Sequence, residues 1–157
     1  SQVLGIVGRH EESLAEAERS MSLDADSYYA HWNVMRSHAW LGNYDRAIEE
    51  APALLGISGR HVWALGLLAW TYGRAGHAPE TRAVYDELES RSRHEHVSPA
   101  WLAMSAGSAG LNEEAFRWTE RAVERRDPLV LWGRNVQFWD SVRAHPRFLE
   151  VMRGVWE

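Results

Sequence analysis

Trp63 and Trp70 stand seven residues apart, and so do Gly66 and Gly73. On a helix each pair recurs two turns apart along one face. Glycine inside a helix costs roughly 1 kcal/mol against alanine, so two of them at this spacing need a reason. One reading is a recess with a backbone floor and tryptophan walls, with Arg36 and Arg74 at its edge. Such a recess takes an apolar or aromatic group bearing a carboxylate, because arginine pairs with carboxylates in a fork geometry. The other reading is that the glycines admit bulky tryptophan side chains from a neighbouring unit, the indoles being ordinary core. The usual burial of tryptophan favours this second reading.

Acid–base, metal and nucleophilic chemistry find less support. His31 and His38 are seven apart, whereas two ligands on one helix prefer the i, i+4 spacing. His94 and His96 flank Glu95 and would need further ligands from elsewhere. Glu11-Glu12, Glu49-Glu50 and Glu113-Glu114 fall at helix starts or on outer faces, where solvation and the helix dipole account for them. There is no nucleophile elbow, phosphate-cradling loop or dinucleotide fingerprint. The expectation is a chain with no catalytic residues, no cofactor and no metal.

The elements that position these residues follow from a second set of glycines. Gly8, Gly42, Gly76 and Gly110 are each separated by the same 34 residues, the length of a helix–turn–helix repeat unit. Each is followed by a short polar turn and an acidic helix start: Glu11 and Glu12, Asp45, Glu80, Glu113 and Glu114. A glycine there can take the positive φ that ends a helix, and Pro79 suits a helix start. Five residues after the glycines stand Ser13, Ala47, Thr81 and Ala115; seven before them stand Ser1, Met35, Ala69 and Ala103. Small residues at these places let two helices cross closely. Val34, Leu68 and Leu102, with Met21, Leu55 and Val123, supply the expected core stripe, and Glu89 departs from it.

With this period and these small residues, roughly residues 1–129 resemble the tetratricopeptide repeat family. The resemblance implies an all-α fold: a right-handed superhelical array of antiparallel helix pairs closed by a C-terminal capping helix. It divides a single domain, 1–157, into a partial repeat (1–27), three repeats (28–61, 62–95 and 96–129) and a cap (130–157). The chain departs from the family where a tryptophan is usual (His31, Leu65 and Pro99 stand there) and where a closing proline is usual (Ala25, Gly59, Arg93 and Asp127). Pro52 falls inside a second helix, where it should kink that helix at about 3 kcal/mol. In this family the first helices line the concave groove. The resemblance therefore implies a partner or ligand groove carrying Tyr29, Trp32, Arg36 and Trp40 from the second unit, Trp63, Gly66, Trp70, Gly73 and Arg74 from the third, and Met104 from the fourth. Trp101, Trp118, Trp132, Trp139 and Trp156 are assigned to packing or to the ends of the array.

Beyond residue 128 the period breaks, and Phe138-Trp139 through Pro146 lead into a last helix with Phe148, Val151, Met152 and Val155 as its apolar stripe. This tail resembles the closing segment of repeat arrays in larger bacterial regulators. Only seven residues precede Gly8, where other units have fourteen, so a piece trimmed from a longer protein is expected.

A net charge of −5 argues against the basic footprint of nucleic-acid binding. All seventeen basic residues are arginine, which reads as codon bias more than as a functional choice. No apolar run reaches membrane-spanning length and no signal peptide is evident, so a cytoplasmic location is the default. Two functions follow. The first is a non-catalytic interaction scaffold holding a protein or peptide in the groove, with Trp32, Trp40, Trp63 and Trp70 as its anchors. The second is a small-molecule sensor using the Trp/Gly recess; an oligomerisation module, possible as a homo-oligomer, is the remaining alternative.

Overall fold

A computed structural model describes residues 2–143 and 145–156; Ser1 and the side chain of Trp156 lie outside what it describes. Among the described residues the chain is helical, with no strand. The helices are α1 (Gln2–Ile6), α2 (His10–Leu23), α3 (Tyr28–Trp40), α4 (Tyr44–Ser58), α5 (Val62–Ala75), α6 (Ala78–Arg91), α7 (Pro99–Ser108), α8 (Asn112–Glu124), α9 (Asp140–Arg143) and α10 (Phe148–Trp156). Two 3-10 turns, Pro128–Trp132 and Gln137–Trp139, lie between α8 and α9. None of the helices is long and apolar enough to cross a membrane.

The four spaced glycines end helices as their register predicts. Their φ angles are 82°, 81°, 82° and 73°, a region where a Cβ is strained. The residue after each glycine bonds back to a carbonyl five positions earlier: Arg9 to Leu4 (2.8 Å), Asn43 to His38, His77 to Tyr72 and Leu111 to Ala106 (each 2.9 Å). One local motif, in which a left-handed glycine lets the next amide cap the helix, therefore recurs at all four places. The following helix starts carry their acidic residues in the first turn. Ser27 and Ser98 cap α3 and α7, each side-chain oxygen accepting a backbone N–H.

The helices pack in neighbouring pairs from α2 to α8, and α5 also packs against α7 and, less extensively, α3. Ser13, Ala47, Thr81 and Ala115 are buried, as are Met35, Ala69 and Ala103, so the small residues sit where helices cross. Val34, Leu68 and Leu102 are core as well. On the second helices the register differs by one residue from the sequence expectation. Met21, Leu55 and Val123 are only half-buried, whereas Leu54, Leu88 and Ala122, one position earlier, are fully buried. Each large side chain buried in this way contributes about 1.5–3 kcal/mol. Helix α4 runs on through Pro52, which lies on its exposed side.

Residues 128–143 and 145–156 do not extend the row of pairs; they turn back on it. Asp127 fixes the turning point. One of its carboxylate oxygens accepts from Ser98 Oγ (2.5 Å) and the Ala100 N–H (3.3 Å), and the other accepts from the Leu129 N–H (3.0 Å). Helix α9 packs on α7 and α8, and α10 packs on α8, α9 and the turn at Pro128–Trp132. Phe148 and Met152 of α10 are buried, with Val151 and Val155 half-buried.

Candidate functional site

Helix α3 presents Trp32, Arg36 and Trp40 at successive i, i+4 positions, a spacing that stacks side chains on one face. The Arg36 guanidinium carbon lies 4.8 Å from the Trp32 ring centre and 4.7 Å from that of Trp40, so the cation is sandwiched between two indoles. Arg36 is 2% exposed. Its Nε and Nη2 have no hydrogen-bond acceptor, and none of the ion pairs among the described residues includes it. Burial pushes its pKa down from 12.5 to about 10, because a desolvated charge without an anion favours its neutral form. The same charge is felt across Trp40: His10, packed on that indole at 5.2 Å between ring centres, has a lowered pKa, through burial first and the Arg36 charge second.

Around this arginine lies a recess of about 200 Å³. Trp32, Arg36 and Trp40 come from α3, Trp63 from α5, Trp101 and Met104 from α7, and Ile6 from α1. The remaining wall comes from the returning segment: Leu129, Trp132, Val136, Phe138 and Trp139. Phe138 is its wedge, with its ring centre 5.5 Å from Trp40, 5.0 Å from Trp70 and 5.4 Å from Trp101. The backbone there is held by Trp70 Nε1 donating to the Gln137 carbonyl (3.2 Å) and by Arg143 Nη1 donating to the carbonyls of Gly133 (2.8 Å) and Val136 (3.3 Å).

Buried donor atoms surround the recess, each of them covered. Besides the two Arg36 nitrogens, the indole Nε1 atoms of Trp32, Trp40 and Trp101 are buried without an acceptor. An indole N–H and a guanidinium can only donate, and each buried donor left unpaired costs about 1–3 kcal/mol. Arg36 is the one titratable side chain in the lining.

The ten groove residues read from the sequence separate into groups. Trp32, Arg36, Trp40, Trp63 and Met104 meet at the recess. Trp70 is buried beneath Phe138 instead, bonded to Gln137. Gly66 forms no floor: a Cβ there would overlap Cε3 of Trp101 and lie 2.7 Å from its Cδ2. The glycine is the space that Trp101 of α7 occupies, a neighbouring tryptophan as the second reading of the spacing expects. Gly73 admits the α7 backbone, since a Cβ would lie 2.9 Å from the Ser108 carbonyl oxygen. Arg74 stands outside, its Nε donating to Tyr44 OH (3.3 Å) and its Nη1 4.0 Å from Asp140. Tyr29 is exposed and packs edge-on against Tyr28. Sequence reasoning missed Phe138, Leu129 and Val136 as groove residues and gave Trp101, Trp132 and Trp139 only packing or end roles. The one available signal was the aromatic pair Phe138-Trp139 just past the end of the period.

A larger hollow of about 560 Å³ lies between α6 and α8, but its charges answer one another. Arg82 bonds to Asp86 at 2.8 Å and Arg117 reaches Glu114 at 3.4 Å. His31 is buried and paired with Glu50, and no cluster of three or more His, Asp or Glu side chains able to hold a metal occurs among the described residues. Comparison with models of protein families, with curated proteins and with solved structures finds no match to this chain.

Proposed function

We propose that this chain is a non-catalytic binding module of the tetratricopeptide kind, a right-handed superhelical array of helix pairs, whose groove receives a small molecule in the recess around Arg36. The observation that carries the reading is the gathering of five buried, unpaired donor atoms around one aromatic recess. Native structures pair nearly all buried polar groups, so a cluster of donors without acceptors points to a ligand that brings them. The size fits a single-ring compound. A cavity of about 150 Å³ lined by apolar side chains takes benzene, and this one is about 200 Å³. With one titratable side chain in the lining, a positioned acid–base pair has no source there.

The interaction-scaffold reading places a peptide in the same groove, and residues 129–139 of the chain itself stand there. A partner segment would first have to displace Phe138 from Trp40, Trp70 and Trp101, so the small-molecule reading is the one the geometry favours. The test is a titration of the folded chain with a panel of neutral and charged one-ring compounds, followed by tryptophan emission and by thermal shift. At least one compound is expected to quench emission saturably and raise Tm, and Met104→Phe, which fills the recess, is expected to weaken it at least tenfold with helicity unchanged. A panel without any saturable response contradicts the reading.

A further inference from the structure

The recess chemistry is more selective than its size. From the guanidinium between two indoles and the three indole N–H groups beside it, we infer that the natural ligand is an aromatic carboxylic acid of about one ring, bound as its anion with the carboxylate on Arg36. The inference rests on the reading of the recess as a binding site and adds the charge and acceptor pattern of what enters it.

Each wall contributes to this assignment. A carboxylate is an acceptor-only group with about four lone-pair sites, which matches a lining whose unpaired atoms all donate. Nε and Nη2 of Arg36 are buried and unpaired, Nη2 lying beside Gly5 of α1, so the guanidinium holds a charge that no acceptor answers and draws an anion to the recess it lines. An alcohol, an amine or a primary amide brings donors of its own beside side chains whose unpaired atoms only donate. The cation is fixed before the ligand arrives, since Trp32 and Trp40 clamp it at 4.8 and 4.7 Å, so little ordering is left for binding. A bare inorganic anion would satisfy Arg36 but leave the half-exposed indoles of Trp63 and Trp132 at the recess uncovered. A ring attached to the carboxylate covers them.

Among the described residues no carboxylate forms an ion pair with Arg36. Arg74, the other groove arginine, already faces Tyr44 and Asp140, which leaves Arg36 as the anion site of this face.

The experiment compares phenylacetate, phenylacetamide and acetate by isothermal titration to the folded chain at neutral pH. About ten non-hydrogen atoms at ordinary ligand efficiency give phenylacetate a Kd of roughly 0.1–1 mM. Hydrogen bonds to a charged group set its expected preference over the amide at about 10–100-fold. Acetate should bind at least tenfold more weakly than phenylacetate. In Arg36→Met the acid and the amide should bind alike. Equal binding of acid and amide to the unmodified chain overturns the inference while leaving the recess a binding site for neutral rings. Acetate binding as tightly as phenylacetate overturns the aromatic part, and no binding by any of the three overturns the inference together with the function it rests on. The comparison on the unmodified chain decides the matter even if Arg36→Met fails to fold, and Arg36→Lys, which keeps the charge but loses the fork, should then show a reduced preference.

Discussion

His31 shows how much of this chain's electrostatics lies in single contacts across helices. Burial alone would lower its pKa, but the Ala25 carbonyl accepts from Nε2 at 2.7 Å and the Glu50 carboxylate stands on Nδ1. With acceptors on both ring nitrogens the imidazolium is favoured, and the net pKa is raised. A group whose pKa rises on folding adds stability that is complete below its unfolded pKa, about 6.5, and is lost as pH climbs through the folded value. His31→Phe is therefore expected to lose about 1.5–3 kcal/mol at acidic pH and clearly less at pH 9, measured by urea unfolding at both. An equal loss at both pH values contradicts the pairing. His10 works with the opposite sign. Its lowered pKa makes protonation cost stability as pH falls below about 6.5. The sequence weighed His31 only by its spacing from His38, because Glu50 lies on another helix and no spacing rule joins it to His31. Arg36 was legible as an inward side chain by counting from the glycine period. Its lack of an anionic partner was not, since the absence of an acceptor depends on everything folded around it.

At the scale of elements, the two kinds of glycine separate cleanly. Gly42 and its periodic counterparts need positive φ, and their spacing alone located the ends of α3, α5 and α7. The helical glycines differ according to what faces them. Gly66 lies against the buried indole of Trp101, whereas nothing lies within 4 Å of a Cβ built at Gly56 in α4. Gly66→Ala should cost about 1–3 kcal/mol by overpacking, outweighing the gain of roughly 1 kcal/mol in helix propensity, while Gly56→Ala should keep that gain and stabilise. Chemical denaturation of both variants checks the pair, and a stabilising Gly66→Ala would contradict the packing of Trp101 on α5. The sequence left the role of Gly66 between ligand floor and neighbour space. Helix spacing gives a residue's face but not which side chain of the next unit arrives there. The one-residue difference on the second helices, with Leu54 and Leu88 in place of Leu55 and Glu89 as the deep core, has a similar origin. The period fixes where a unit begins, and the rotation of its second helix is set by its neighbours.

Over the whole molecule, the return of residues 129–139 distinguishes this chain from a plain row of helix pairs. Phe138 touches tryptophans of α3, α5 and α7 at once, spanning three helices where a linear repeat unit contacts only its neighbours. None of this was legible in advance, because the segment has no period and its two 3-10 turns carry no strong pattern; only its aromatic content was visible. By returning, the segment walls a recess of about 200 Å³ beside the buried, unpaired donors of Arg36, Trp32, Trp40 and Trp101. The nine indole N–H groups give a direct view of that arrangement, because each yields its own signal in a nitrogen–proton correlation spectrum. The decisive measurement is to follow those signals while phenylacetate is added. The account predicts saturable shifts for Trp32, Trp40 and Trp101, while Trp118, bonded to Tyr85 OH at 3.3 Å on the far helices, stays in place. Unmoved signals from Trp32, Trp40 and Trp101 at saturating phenylacetate would contradict it.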